Sequence, residues 1–268
     1  MSHLSGKTHL WALIADPVAH VRAPAFVNPM FERKGLDGFL LPLHVRANDL
    51  AEVVPRLAKV GNLKGIIVTI PHKQAIARLC SELGPNASLT GAVNTVRIRP
   101  DGQLCGEMFD GMGLIATARG SGMEPRGRRV LLVGAGGAGR AVAFALALEG
   151  SRYLGISNRT ADRAEELVQA VKSGVPGAVV DAVAPDARGY DLVINCTSLG
   201  LKAGDPQPLD AATLDPGSDL IDIIAVRETE LMQAARARGC RVVGGRPMVE
   251  LQFDEQLRFI GEPPALTP

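Results

Sequence analysis

Aromatic side chains are scarce in this 268-residue chain, which has one Trp, two Tyr and seven Phe. A protein that grips single strands of nucleic acid by base stacking needs more such faces. An excess of one charge is also missing: 29 Lys and Arg stand against 28 Asp and Glu, a formal net charge of +1. The arginines are scattered, so neither nucleic acid nor an anionic membrane surface has an electrostatic reason to bind. The four cysteines, Cys80, Cys105, Cys196 and Cys240, have no metal-type or redox-type spacing. They read as reduced, mostly buried thiols of a cytoplasmic protein. His3, His9, His20, His44 and His72 form no pair at helical ligand spacing, and no metal is expected. The most apolar stretch, Ala141 to Leu148, falls far short of the roughly twenty residues of a membrane span. Leu10 to Ala15 is too short for a signal-peptide core and runs into Asp16-Pro17. Repeats and low-complexity blocks are absent apart from a Pro-rich tail at 263–268, expected to fray.

What is present alternates between two periods. Leu10–Ala15 reads as a strand, Ala23–Lys34 as a helix ended by Gly35, and Phe39–Val45 as a second strand. Asp49 is placed to cap a helix through Lys59, which Gly61 closes. Strand 65–70, a helix near 72–83 and a hairpin around Asp101-Gly102 follow. A helix from Asp110 to Arg119 leads to a fresh start at Val130–Val133, so a domain crossover is set near Asp110. Later strands are expected near 153–157, 178–182, 191–195, 219–224 and 241–243, and a last helix near 248–260. The fold class is α/β in two domains, a βαβ-type module followed by a doubly wound one.

Two places in this pattern carry chemistry. The apolar run Ile66-Ile67-Val68-Thr69-Ile70 is stopped by Pro71, which has no N–H to continue a ladder. Lys73 is therefore presented at a strand's carboxyl end, where open α/β sheets place their chemistry. A cation there can polarise a substrate oxygen, although a solvated lysine at a helix start fits the spacing as well.

The second place is Gly134-Ala135-Gly136-Gly137-Ala138-Gly139, between strand 130–133 and helix 140–148. Strand before and helix after are the context that a dinucleotide turn requires. The glycines allow a tight turn, close approach of a pyrophosphate and close helix packing. Where an NAD site usually carries an acid, about twenty residues on, stand Asn158, Arg159 and Thr160. A guanidinium with amide and hydroxyl neighbours suits the 2′-phosphate of NADP. Alternatively Thr160 only caps the helix 161–172, and NAD binds beside an idle arginine.

The ordered set of motifs resembles the shikimate dehydrogenase family over nearly the full length. The matching residues are Ala12–His20 with its Pro-x-x-His end, Pro24, Asn28, Phe31, Val68–Lys73, Gly91–Thr95 and Asp110-Gly111. Gly134–Gly139, Asn158–Thr160, Asn195–Gly200, Met248 and Gln252 complete it. The resemblance implies a substrate-binding catalytic domain from residues 1–109 and 240–268, with the last helix returning to it. A Rossmann domain binding NADP, or NAD, would span 110–239. It further implies that Lys73 and Asp110 act together on the alcohol carbon that exchanges hydride with nicotinamide. Thr69, Asn94 and Gln252 would hold the substrate, and Thr197, Gly245 and Met248 would join the cofactor site.

The far end of the implied pocket departs from the family. Its Ser-x-Ser, which clamps the shikimate carboxylate, is Val21-Arg22-Ala23; an asparagine two places before Thr69 is Ile67. Met108-Phe109 replaces Asn-Thr, and Ala225 replaces a tyrosine. Losing both serine hydroxyls costs about 3–6 kcal/mol, at roughly 1.5–3 kcal/mol for each hydrogen bond to a charged group. Arg22 can compensate by pairing with a carboxylate, or it can face solvent. The reading is an alcohol dehydrogenase of shikimate dehydrogenase type, a monomer or homodimer, acting on shikimate, quinate or a related hydroxylated ring or hydroxy acid with altered preference. The alternative is a non-catalytic dinucleotide-binding sensor or scaffold.

Overall fold

The computed structural model describes residues 4–19 and 21–263. His20, which ends the Pro-x-x-His pattern, and nearly all of the Pro-rich tail lie outside the described residues. The chain divides into two compact units, Met1–Phe109 with Gln252–Pro268, and Asp110–Leu251.

The first unit is built on β1 (His9–Ala15), α1 (Ala23–Arg33), β2 (Gly38–His44), α2 (Leu50–Leu57), β3 (Leu63–Val68), α3 (Lys73–Ala77), β4 (Glu82–Leu83), α4 (Pro85–Thr90), β5 (Thr95–Ile98) and β6 (Leu104–Glu107). Its sheet has the order β2-β1-β3-β5-β6-β4. The strands β1, β2 and β3 run parallel, whereas β5 lies antiparallel to both β3 and β6. Trp11 to Ala15 are buried to the last, as a strand covered on both faces must be. Trp11 packs with Phe31 and Phe253, ring centroids 5.3 and 5.7 Å away, and those two rings stand 5.2 Å apart. Strand β2 is at the sheet edge, and Asn28 covers part of it. The Asn28 amide accepts from Leu40 N at 2.8 Å and donates to Leu40 O at 3.2 Å, which satisfies edge groups that would otherwise invite pairing.

Three local expectations change here. The helix expected over 72–83 is only Lys73–Ala77, because Ser81 N and Gly84 N are drawn to Leu104 O and Gly106 O of β6. An unexpected helix, α4, follows; Pro85 starts it, and Glu107 caps it from a distant strand by accepting from Ala87 N at 2.8 Å. Asp49 makes no side-chain cap bond to α2.

The second unit holds α5 (Asp110–Gly120), β7 (Arg129–Val133), α6 (Gly137–Leu148), β8 (Tyr153–Ser157), α7 (Ala161–Gly174), β9 (Val180–Ala182), β10 (Leu192–Asn195), β11 (Asp219–Asp222), α8 (Glu230–Ala237), β12 (Arg241–Val243) and the start of α9 (Arg246–Ile260). Its sheet is parallel throughout, in the order β12-β11-β10-β7-β8-β9. The order reverses between β10 and β7, which makes the carboxyl ends of those two strands the binding crevice of a doubly wound sheet. Helix α5 packs closely on α6: a Cβ on Gly111 would lie 2.6 Å from Ala141 O. At the opposite end of the sheet, fully buried Asp219 accepts from Arg241 Nε and Nη2, both at 2.7 Å, and from Arg128 Nη1 at 2.5 Å. Because β12 pairs with β11, the second unit runs on to Leu251, past the limit near Gly239 read from the sequence. The division between units falls inside α9.

Candidate active site

In the first unit, four of the residues singled out by sequence gather where β1 and β3 end and β5 begins. Thr69 follows β3, is half-buried, and donates its N–H to Ile14 O at 3.1 Å. Lys73 opens α3 and is 9% exposed, with its carbonyl accepting from Val93 N at 2.8 Å. The preceding His72 is buried, its Nε2 2.8 Å from Val45 O, and the loop that presents Lys73 is thereby tied to the end of β2. A solvated surface lysine is not what the structure contains.

Asn94 is 2% exposed and its side chain is fixed from three directions. Its Oδ1 accepts from Phe109 N and from Thr95 Oγ1, each at 3.0 Å, while its Nδ2 donates to Gln252 Oε1 at 3.0 Å. Gln252, on α9, is thus buried against Asn94 and not on a solvated helix face. Arg22 takes the N-cap position of α1 without a cap bond, and its exposed guanidinium has no partner among the described residues. Val21 and Ala23 beside it are half-buried. Asp16, at the end of β1, pairs with His44 at the end of β2, with 2.9 Å between Oδ1 and Nε2. That hydrogen bond, followed by one from Ala47 N, holds the Asp16 carboxyl below the usual carboxylate range.

In the second unit, Asp110 opens α5 and is 4% exposed, a carboxylate at a helix N-terminus where the dipole favours it. The glycine turn after β7 has a shape that a dinucleotide needs. Gly134 has φ +109, which L side chains rarely adopt, and a Cβ there would lie 2.9 Å from the Cys196 carbonyl. A Cβ on Gly139 would collide with Gly134 O, whereas one on Gly136 would meet nothing within 4 Å. The turn is closed on its packed side and open on the other, which fits a pyrophosphate approaching the N-terminus of α6. Ala135 N donates to Asn158 Oδ1 at 3.1 Å, and Asn158 Nδ2 donates to Thr160 O at 2.9 Å. Thr160 is the N-cap residue of α7, yet its hydroxyl makes no cap bond. Arg159 is exposed and its guanidinium has no partner among the described residues; the same is true of the guanidinium of Arg163, in the first turn of α7. Nothing in the sequence pattern singles out Arg163.

The loop after β10 lies against this turn, with Thr197 Cγ2 3.1 Å from where a Gly134 Cβ would be. Gly245 is pressed onto the backbone of Ile223, where any Cβ would clash, and Met248 is buried one turn into α9. Asp222, buried at the end of β11, has its carboxyl pushed up by burial, against the pull of hydrogen bonds from Ile224 N, Thr229 and Asn195. The sequence reading passed over it. Among the described residues, no three His, Cys, Asp or Glu side chains are grouped to hold a metal ion, and no helix is long and apolar enough to cross a membrane.

Comparison with known proteins matches both units. The family model of the shikimate dehydrogenase substrate binding domain matches residues 13–96, and that of shikimate / quinate 5-dehydrogenase matches residues 117–202. Shikimate dehydrogenase (NADP(+)) of Rubrobacter xylanophilus is 39% identical over 261 residues, covering 95% of this chain and 91% of that one. The crystal structure of shikimate dehydrogenase from Aquifex aeolicus has a TM-score of 0.87 at 29% identity, covering 97% of this chain and 94% of that one. Ligand-free 5-ketofructose reductase of a Gluconobacter species, strain CHM43, has a TM-score of 0.82 at 30% identity, covering 95% and 93%.

Proposed function

Because the chain belongs to the shikimate dehydrogenase family, we propose that it is an NADP-dependent oxidoreductase interconverting an alcohol and a ketone on a small polyhydroxylated substrate. The observation that carries this most is the buried pair Asn94 and Gln252 near Lys73 on one sheet end, polar groups that a plain core would not retain.

In the direction of reduction, Lys73 donates a proton to the substrate carbonyl oxygen, and in oxidation it receives the alcohol proton. Asp110, an acceptor, takes the hydrogen bond of the substrate hydroxyl in oxidation, and the alkoxide that develops in reduction is stabilised by the Lys73 cation. Asn94, Gln252 and Thr69 hold the hydroxyls that orient the reacting carbon. NADP, when bound, accepts or supplies the hydride. The glycine turn takes its pyrophosphate, and Asn158, Arg159, Thr160 and Arg163 take its ribose phosphate, with Thr197, Gly245 and Met248 on the nicotinamide side. The uncapped Thr160 hydroxyl and the two guanidinium groups without partners among the described residues support the phosphate assignment, since a guanidinium binds phosphate in a bidentate fork. NAD then binds more weakly. We read the protein as cytoplasmic, a monomer or homodimer, with its four cysteines as thiols outside any disulfide.

The substrate differs from shikimate at the end away from the reaction. The side chains of Val21, Ala23 and Ile67 offer no hydrogen bond to a carboxylate, whereas the guanidinium of Arg22, between the first two, offers one. The relative called 5-ketofructose reductase supports a wider choice, since that sugar has no carboxylate. The test is a panel of shikimate, quinate, neutral polyols and ketoses with NADPH and NADH, read by the absorbance of reduced nicotinamide. Shikimate is expected at least about a hundredfold below the best substrate in kcat/KM, the lower bound set by two lost charged hydrogen bonds. Lys73→Ala is expected to lower kcat by about 10²–10⁴. Efficient shikimate oxidation overturns the altered preference, and an unchanged rate in Lys73→Ala overturns the catalytic assignment. NADPH binding with no turnover of any panel member would favour the sensor instead, a reading motivated by the apolar Val21, Ala23 and Ile67.

A further inference from the structure

We infer that Asp222 is a positioning residue for the cofactor: through Asn195 and Thr197 it fixes the loop that forms the wall opposite the glycine turn. The inference rests on the dinucleotide reading of the second unit.

Asp222 and Asn195 are the last residues of the adjacent strands β11 and β10, and both are fully buried. Asp222 Oδ1 accepts from Asn195 Nδ2 at 3.0 Å and from Ile224 N at 3.1 Å; its Oδ2 accepts from Thr229 Oγ1 at 2.8 Å. Asn195, oriented in this way, turns its own Oδ1 outward to Thr197, accepting from Thr197 N at 3.0 Å and from Thr197 Oγ1 at 2.8 Å. Thr197 Oγ1 in turn accepts from Leu199 N at 3.1 Å. Thr229 caps α8 through Met232 N at 3.1 Å, and its methyl group lies 2.7 Å from where a Cβ on Gly200 would be. Both ends of loop 196–200 are therefore set by one carboxylate. Contact continues from Thr197 Cγ2 to Gly134, at the turn assigned to the pyrophosphate.

The residue type follows from the donor count. Three donors converge on Asp222 and it donates to none, so an acceptor-only carboxylate suits the place. An amide keeps one oxygen and turns an NH₂ toward the remaining donors. A buried carboxylate is costly, and a site needing stability alone is served by apolar packing. Its cost is offset here by orienting Asn195, whose amide presents an acceptor to Thr197 and a donor to Asp222.

The test compares the parent with Asp222→Asn and Asp222→Ala. Equilibrium binding of NADPH is followed by its fluorescence, binding of 2′,5′-ADP by calorimetry, and folding by circular dichroism. The fragment 2′,5′-ADP carries the ribose phosphate and one phosphate of the pyrophosphate, but not the nicotinamide half. For folded Asp222→Ala, the NADPH dissociation constant is expected to rise about tenfold or more, a loss of one to two net hydrogen bonds. Binding of 2′,5′-ADP and KM for the alcohol substrate are expected within about twofold of the parent, since neither uses loop 196–200. Asp222→Asn is expected to fall between, and it carries the test alone if the alanine variant does not fold. A folded variant with the parent's NADPH affinity, or one losing 2′,5′-ADP binding equally, overturns the inference and leaves the cofactor reading standing. A parent that binds neither NADPH nor NADH overturns both.

Discussion

Replacing Asn94 by alanine probes the point where the first unit's chemistry and its stability coincide. The change removes an acceptor shared by Phe109 N and Thr95 Oγ1, and the donor to Gln252 Oε1. Thr95 and Phe109 are buried with Asn94, so two donors, Thr95 Oγ1 and Phe109 N, lose their acceptor inside the protein. Each buried polar group left unsatisfied costs about 1–3 kcal/mol, so two of them predict a loss of about 2–6 kcal/mol. Asn94→Asp keeps the oxygen for Phe109 and Thr95, and a turned Gln252 amide can donate to the new carboxylate; a loss of about 1–2 kcal/mol is expected. Trp11 is the single tryptophan of the chain and packs with Phe31 and Phe253 in the same unit. Its fluorescence in a urea titration therefore reports on this unit and not on the other. An alanine variant within about 0.5 kcal/mol of the parent, the range of ordinary surface changes, would refute the assignment. The same follows if the aspartate variant is the less stable of the two.

Gly139→Ala should abolish NADPH binding while α6 still forms, because its Cβ collides with Gly134 O at the turn; titration beside a circular dichroism spectrum checks this. Burial pushes the Cys80 thiol up to about 12, so iodoacetamide near neutral pH should modify it only after unfolding, as mass spectrometry would show. The hydrogen bond from Arg227 holds the Glu230 carboxyl down at about 2, against 4.5 unperturbed. A depressed carboxyl lends stability that is present above its unfolded value and lost as pH falls toward the folded one. Stability of Glu230→Gln should accordingly fall less than the parent's between pH 4.5 and 2, in acid titrations of urea midpoints.

The sheets were legible because their strands are apolar runs with clear stops, and the glycine turn because its neighbours were the right elements. Lys73, Asn94 and Gln252 were legible as a group only through the family resemblance, since spacing alone does not bring Gln252 to Asn94, 158 positions away. Helix α4 was not legible: its start is capped by Glu107, a residue that local propensity does not include. Strand β12 was seen as a strand, yet which sheet it joins depends on pairing with β11, and the limit of the second unit was placed too early for that reason. Asp222 gave no signal because the need for a carboxylate arises from three donors brought together only by folding.

The first unit takes its residues from both ends of the chain, whereas the second is one continuous stretch. During synthesis the ribosome has delivered every residue of the second unit before Phe253, the third ring of the Trp11 cluster, has left the tunnel. Domains fold largely as units in the order in which they are completed. The second unit is thus finished first although most of the first is encoded before it. The amino-terminal half must wait, with Trp11 and Phe31 unsealed, and is the segment most in need of a chaperone's shelter.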